Sequence, residues 1–209
     1  MPRDLLRNMA EEPEVRSPES LDDLLKAMRP EKGDLRVSVE DVLRRVGGRS
    51  FPAVILVPAI VLVSPVSGIP GTPTLAGMIV LLCAVQALVG KKHLWLPGFL
   101  RRRSVSAARM LRAVEWLRRP AGWMDRHSHN RLRLLVSGPA KPLAYAATAL
   151  VAVSWPLLEL LPFVTSFSAG AVAMVMFGLM TRDGAYALAG YAQGALVYLI
   201  LLSIWFGIF

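Results

Sequence analysis

Apolar positions in this chain gather into five runs separated by polar stretches. Phe51–Ile69, Leu143–Leu161, Phe163–Met180 and Ala185–Phe209 each come close to the ~20 residues that cross ~30 Å of hydrocarbon, and Leu75–Val89 is shorter. Prolines break the runs in two places. Val63-Ser64-Pro65 and Pro70 interrupt the first pair, and Val153-Ser154-Trp155-Pro156 and Pro162 interrupt the second. Pro70 to Gly90 and Pro162 to Arg182 are both twenty positions. A helix-breaker repeated at matching spacing inside lipid-compatible sequence predicts an internal repeat whose breaks mark a binding site. The pattern predicts an all-α, polytopic helical membrane protein. It would have two proline-broken hairpins, an amphipathic cytoplasmic helix region between them, and a final transmembrane helix. The corresponding segments are 1–50, 51–90, 91–137, 138–183 and 184–209.

The polar stretches carry helical patterns of their own. Ser20 and Asp23 have capping-box spacing before Leu24, Leu25 and Met28, and Pro30 stops that short helix. Ser38 and Asp41 repeat the signal before Val39, Val42, Leu43 and Val46, and Gly47-Gly48 ends it. Residues 1–19 read as a loose charged tail. Val105, Met110, Leu111, Val114 and Leu117 recur at helical spacing among arginines, so 99–119 is expected to be one interfacial helix. Its alternative placement is on the protein's own cytoplasmic face. Trp95, Trp116 and Trp123 suit headgroup depth.

Charge changes this picture by orienting it. Residues 1–50 hold ten Lys/Arg and eleven Asp/Glu, whereas 138–209 hold only Lys141, Glu159, Arg182 and Asp183. Twelve of the 24 basic residues fall between Lys91 and Arg133, opposed by Glu115 and Asp125 alone. Basic segments beside spans stay cytoplasmic and attract anionic headgroups, so both 1–50 and 91–137 are expected on that side. The net charge of +9 therefore speaks for lipid rather than nucleic acid, since no stacking aromatics are interleaved with it. Arg101, Arg102 and Arg103 are the expected headgroup contacts. Counting crossings makes the two hairpins parallel; an extra crossing over 132–145, or one re-entrant hairpin, would invert them. The single cysteine, Cys83, allows no intrachain disulfide. No apolar stretch precedes Phe51, so the first run is expected to act as an uncleaved insertion signal.

Pro70-Gly71-Thr72, Gln86 with Gly90, Trp95-Leu96-Pro97, Arg131-Leu132-Arg133-Leu134, the Pro156 to Pro162 turn and Arg182-Asp183-Gly184 occur here in order. Together they resemble the ExoD family of bacterial integral membrane proteins, from about Leu21 to the C-terminus. The resemblance implies an inner-membrane protein linked to exopolysaccharide synthesis and, in some members, to tolerance of alkaline conditions. It supplies no catalytic residue set.

Glu159 is the one acid inside the apolar runs. Its pKa should rise in hydrocarbon unless a cation or helix terminus compensates. It is either a proton or cation relay at the second break, or a wet carboxylate at the far interface. Ser64, Thr72 and Thr165 put hydroxyls beside broken backbone, where they bind a substrate or ion, or simply re-satisfy freed backbone groups. Gln86 joins this candidate site, or bonds across helices as Gln193 does. Pro65, Pro70, Gly71, Pro156 and Pro162 are the expected turn residues. Gly190 and Gly194 form a GxxxG that serves internal packing or a homodimer. Arg182 and Asp183 are expected to pair and cap a span. His127 and His129 lack partners at ligand spacing, so no metal or other cofactor is expected, and no nucleophile elbow, phosphate loop or paired carboxylates suggest an enzyme. Two functions stay open. One is a small transporter or lipid- or ion-translocating protein with its site at the breaks; the other is a non-transporting assembly factor for polysaccharide synthesis proteins.

Overall fold

The computed structural model describes residues 20–31, 33–46, 50–91, 94–129, 131–159 and 162–206. The charged tail 1–19 and the Gly47-Gly48 stop lie outside the described residues. Five apolar helices form a bundle, and a polar layer built from the N-terminal segment and the basic linker covers one side of it.

The polar layer begins with α1 (Leu21–Met28). Its cap is the expected one, with Asp23 N–H donating to Ser20 Oγ at 3.1 Å. A second cap comes from far along the chain. The Asp125 carboxylate accepts from the backbone amides of Leu21 and Asp22, each at 2.9 Å, where the positive end of the helix favours an acid. Strand β1 (Arg36–Ser38) leads into α2 (Val39–Val46). There Ser38 and Asp41 cap each other through both amides. Bonds from Ser38, then from Arg44, hold the Asp41 carboxyl down at about 2.

The basic linker is not one helix over 99–119. It folds as three separate pieces: a single turn at Gly98–Arg101, strand β2 (Ser104–Ser106), and a long helix, Ala107–His127. Two serines flanking a β-branched valine favour extended backbone. β2 finds its partner in β1, pairing antiparallel with Val37 opposite Val105. The long helix buries Met110, Ala113, Val114, Leu117 and Ala121 against α1 and the first apolar helix. Its apolar stripe thus packs on the protein itself, leaving Trp116 and Trp123 exposed. Numbered in chain order, the first hairpin is α3 (Phe51–Val63) and α4 (Thr72–Leu88), the linker holds α5 (Gly98–Arg101) and α6 (Ala107–His127), and the rest are α7 (Ala140–Leu158), α8 (Pro162–Thr181) and α9 (Gly184–Trp205).

Among the described residues, three helices (α7, α8 and α9) are long and apolar enough to cross a membrane. α3 has 13 residues and so measures about 20 Å, short of the ~30 Å of hydrocarbon. The rest of the 51–69 run is a 3₁₀ turn at Pro65–Gly68. Ten of the thirteen α3 residues are buried, on every face, because α8 covers one side, α4 a second, and the polar layer lies over the rest.

The bundle pairs its helices crosswise. α3 lies against α8, and α4 lies against α7. Ser67 Oγ meets Ser166 Oγ at 2.8 Å, and Gly77 lies beside Ala152 and Trp155. Both breaks consequently sit at one end of the bundle, and the two hairpins run in the same sense. α9 packs on α8, with Gly190 against the Ala171 carbonyl and Val175. The GxxxG face is therefore filled within the chain, and Gln193 Nε2 donates across the same interface to the Phe167 carbonyl at 2.7 Å. Leu188, Leu196, Leu199 and Leu202 are left exposed.

Pro156 is not a turn residue. α7 runs through it to Leu158, and α8 starts at Pro162, the helix position that tolerates proline best. Having no N–H, Pro156 leaves the Ala152 carbonyl without its helical donor. That oxygen faces Gly77 of α4, where a Cβ would stand 2.9 Å away. Only a glycine lets the two helices approach so closely there.

Candidate functional site

The first break is assembled from local rules. Ser64 adopts extended backbone and ends α3, and its Oγ donates to the Val61 carbonyl at 2.7 Å. Gly71 takes φ of +84°, a left-handed conformation that a side chain disfavours, and so turns the chain into α4. Pro73 then occupies the first turn of α4. The first amides of α4 have no intrahelical acceptor, so this terminus attracts an anion.

Glu159, immediately after α7, supplies that anion. Its Oε1 accepts from the Gly71 amide and its Oε2 from the Thr74 hydroxyl. These donors, Thr74 first and Gly71 next, hold the carboxyl below its ordinary value against the opposing effect of burial. The helix terminus thus supplies compensation for the charge. With both oxygens engaged, Glu159 ties the two breaks together. Its contribution is fully present above the ordinary value of 4.5 and is lost as pH falls through the lowered folded value. Acid unfolding of Glu159→Gln should lose this step, with the wild-type difference in melting temperature between pH 6 and pH 3 shrinking in the variant.

The other expected site residues divide between the ends of the bundle. Thr165 lies at the same junction and donates to the Leu158 carbonyl at 2.5 Å. Ser64 is close by, and Thr72 opens α4. Gln86 belongs elsewhere. Its amide donates to the Trp95 carbonyl at 2.7 Å and accepts from the Trp95 amide at 2.8 Å, pinning the Trp95-Leu96-Pro97 segment to the C-terminal end of α4. It therefore acts as a brace remote from the breaks. Thr74, rather than Thr72, is the hydroxyl that reaches Glu159. The Thr72-Pro73-Thr74 start of α4 carried that signal, because a proline in the first turn places the following hydroxyl near the helix N-terminus.

Beside this junction lies a cavity of about 730 Å³, within the range of small-molecule sites. Its walls are apolar and come from α2, α3 and α4, including Val42, Val54, Val57, Leu75, Ala76 and Ile79. Two polar groups edge it. One is the junction, with Pro70, Gly71, Thr74 and Glu159; the other comprises Arg36, Arg102, Arg103 and Arg109. Arg101, expected beside its two neighbours, instead turns to Glu40 at 3.7 Å. Arg36 was missed because only the β1–β2 pairing brings it to the linker, where its Nε donates to Ser104 Oγ at 2.8 Å.

At the opposite end of the bundle, the Arg131 run and the Arg182-Asp183-Gly184 segment close on each other. Asp183 is wholly buried. It accepts from the amides of His129 at 2.8 Å and Ala185 at 3.0 Å, and Arg131 Nε stands 3.8 Å away. Its cation is thus Arg131, from across the fold, and not the adjacent Arg182, whose φ of +59° turns it outward to an exposed position. The Gly184 amide donates to the Arg131 carbonyl at 2.7 Å. A Cβ on Gly184 would collide with the Leu132 carbonyl oxygen. His127 stacks on Trp123 and His129 bonds to the His127 carbonyl. Among the described residues no group of three or more His, Cys, Asp or Glu could hold a metal.

A family model described as "Exopolysaccharide synthesis, ExoD" matches residues 20–203, nearly the whole chain. No curated protein and no solved structure matches it.

Proposed function

The chain belongs to the ExoD family, and on that premise we propose that it serves exopolysaccharide synthesis as a small inner-membrane protein that binds and moves a membrane lipid. It works by binding alone, without an enzymatic step. Its N-terminal segment and basic linker face the cytoplasm, as the clustering of arginines next to the spans favours.

The observation that carries this reading is the cavity walled by α2, α3 and α4 beside the joined breaks. Its apolar lining suits a hydrocarbon chain and gives a bare ion little to coordinate. The tie made by Glu159 points the same way, since a carboxylate held by the Gly71 amide and the Thr74 hydroxyl already has a structural use at the junction. In liposomes holding the purified protein, lipid flux between leaflets should exceed that of empty vesicles. Ala76→Phe, which fills the cavity, should bring the flux down to the background. Wild-type protein that moves no lipid under any gradient would overturn the proposal.

The exposed outer face of α6 favours a second reading, an assembly factor that docks polysaccharide synthesis proteins. Arg112, Trp116, Arg118 and Arg119 form that face. Under this reading, Arg118→Glu with Arg119→Glu abolishes pull-down of partners and exopolysaccharide output, while Ala76→Phe leaves output intact.

A further inference from the structure

We infer that the cavity selects an anionic membrane phospholipid, with the phosphate held by Arg36, Arg102, Arg103 and Arg109; this rests on the lipid-binding reading above and names the class of lipid. The four arginines reach one edge of the cavity from β1, from the turn before β2 and from the start of α6. Among the described residues none of them lies within 4 Å of a carboxylate, whereas Arg44, Arg45, Arg101 and Arg131 each have an acid partner. Four like charges gathered without an acid repel one another. A phosphate relieves that repulsion, and guanidinium forks match its oxygens.

Energetics assign the selectivity to this edge. A lipid tail leaving the bilayer for the cavity exchanges one apolar surrounding for another, so chain burial contributes little net preference. The headgroup must then decide which lipid is held. The second polar edge fixes its orientation, because the ionised Glu159 repels a phosphate from the junction side. An anionic headgroup at the arginines with its chain along Val54, Val57 and Leu75 satisfies both edges.

The test uses the full chain in nanodiscs of phosphatidylglycerol and phosphatidylcholine, with retained lipid identified by native mass spectrometry. Wild-type protein should retain phosphatidylglycerol about tenfold over phosphatidylcholine, and the preference should fall as salt rises. The combined Arg36→Gln, Arg102→Gln, Arg103→Gln and Arg109→Gln variant should retain both lipids equally. Ala76→Phe should retain neither. Circular dichroism and gel filtration confirm that each variant is folded. Inorganic phosphate should not displace the lipid at millimolar concentration, since it offers the headgroup chemistry without the chain. Equal retention of the two lipids by wild-type protein overturns the inference, as does a preference that survives loss of the four arginines, or displacement by phosphate alone. Flux without headgroup preference defeats this inference and leaves the lipid-moving function standing; preference without flux does the reverse.

Discussion

Gly184→Ala is expected to destabilise the protein by on the order of 3 kcal/mol, a large share of a typical folding free energy. The added Cβ would overlap the Leu132 carbonyl oxygen and lie 2.8 Å from Leu132 Cβ. Neither neighbour is the far end of a flexible side chain. The obstacle is backbone, and that backbone is fastened by the Gly184 amide to the Arg131 carbonyl. Relief would require moving the whole 131–135 segment off the start of α9. Gly194→Ala is the matched control, because its Cβ would meet only Ala171 Cβ at an ordinary 3.7 Å. Thermal unfolding followed by intrinsic fluorescence should separate the two by well over 5 °C. Equal melting temperatures would show that the Leu132 contact does not form.

Asp183→Ala is the second large effect, about 2–4 kcal/mol. It removes the acceptor of two backbone amides, those of His129 and Ala185, and the cap of α9 along with them. Asp183 is wholly buried, so water cannot replace the lost acceptor readily. Arg131→Gln should cost under about 1 kcal/mol by comparison. The Arg131 side chain is 57% exposed and its nitrogen is 3.8 Å from the acid, so screening leaves that pair weak. The amides therefore outweigh the ion pair in value to the fold. A double variant close to the sum of the two single effects would confirm that ranking. If Arg131→Gln proves as damaging as Asp183→Ala, the ranking is wrong.

Local spacing made part of this architecture legible. The caps at Ser20–Asp23 and Ser38–Asp41 form as read, because donor and acceptor are three residues apart and need no other part of the fold. α7, α8 and α9 follow from length and apolarity. Partners distant in sequence were not legible. Asp183 reads as the partner of its neighbour Arg182, yet tertiary packing gives it Arg131 and the His129 amide. Gln86 reads as a polar group in an apolar helix, and its use emerges only when Trp95 folds back onto it. The strand pairing of Val37 with Val105 joins segments whose local patterns suggest helix and loop. Pro156 shows the remaining difficulty. A proline near a helix end can either stop the helix or be carried by it, and here the glycine on α4 that faces the freed carbonyl goes with the second outcome.

Glu159 was visible as an outlier, and its chemistry depended on which group it met. The same carboxylate facing lipid would become neutral, while facing the start of α4 it stays charged. Its residue type marked the place, and the neighbouring helix terminus decided the state.

The crosswise pairing of the hairpins also orders the birth of the molecule. α3 is too short to be at ease in lipid alone, and its covering helix α8 ends at Thr181, more than ninety residues after α4 is complete at Leu88. At about 5–20 residues per second, the ribosome needs on the order of 5–20 s to supply it. During that interval the first hairpin has only the polar layer for company, and α4 still lacks α7. The arginine-rich linker, made in between, is thus positioned to shelter the newborn hairpin until its permanent partners arrive.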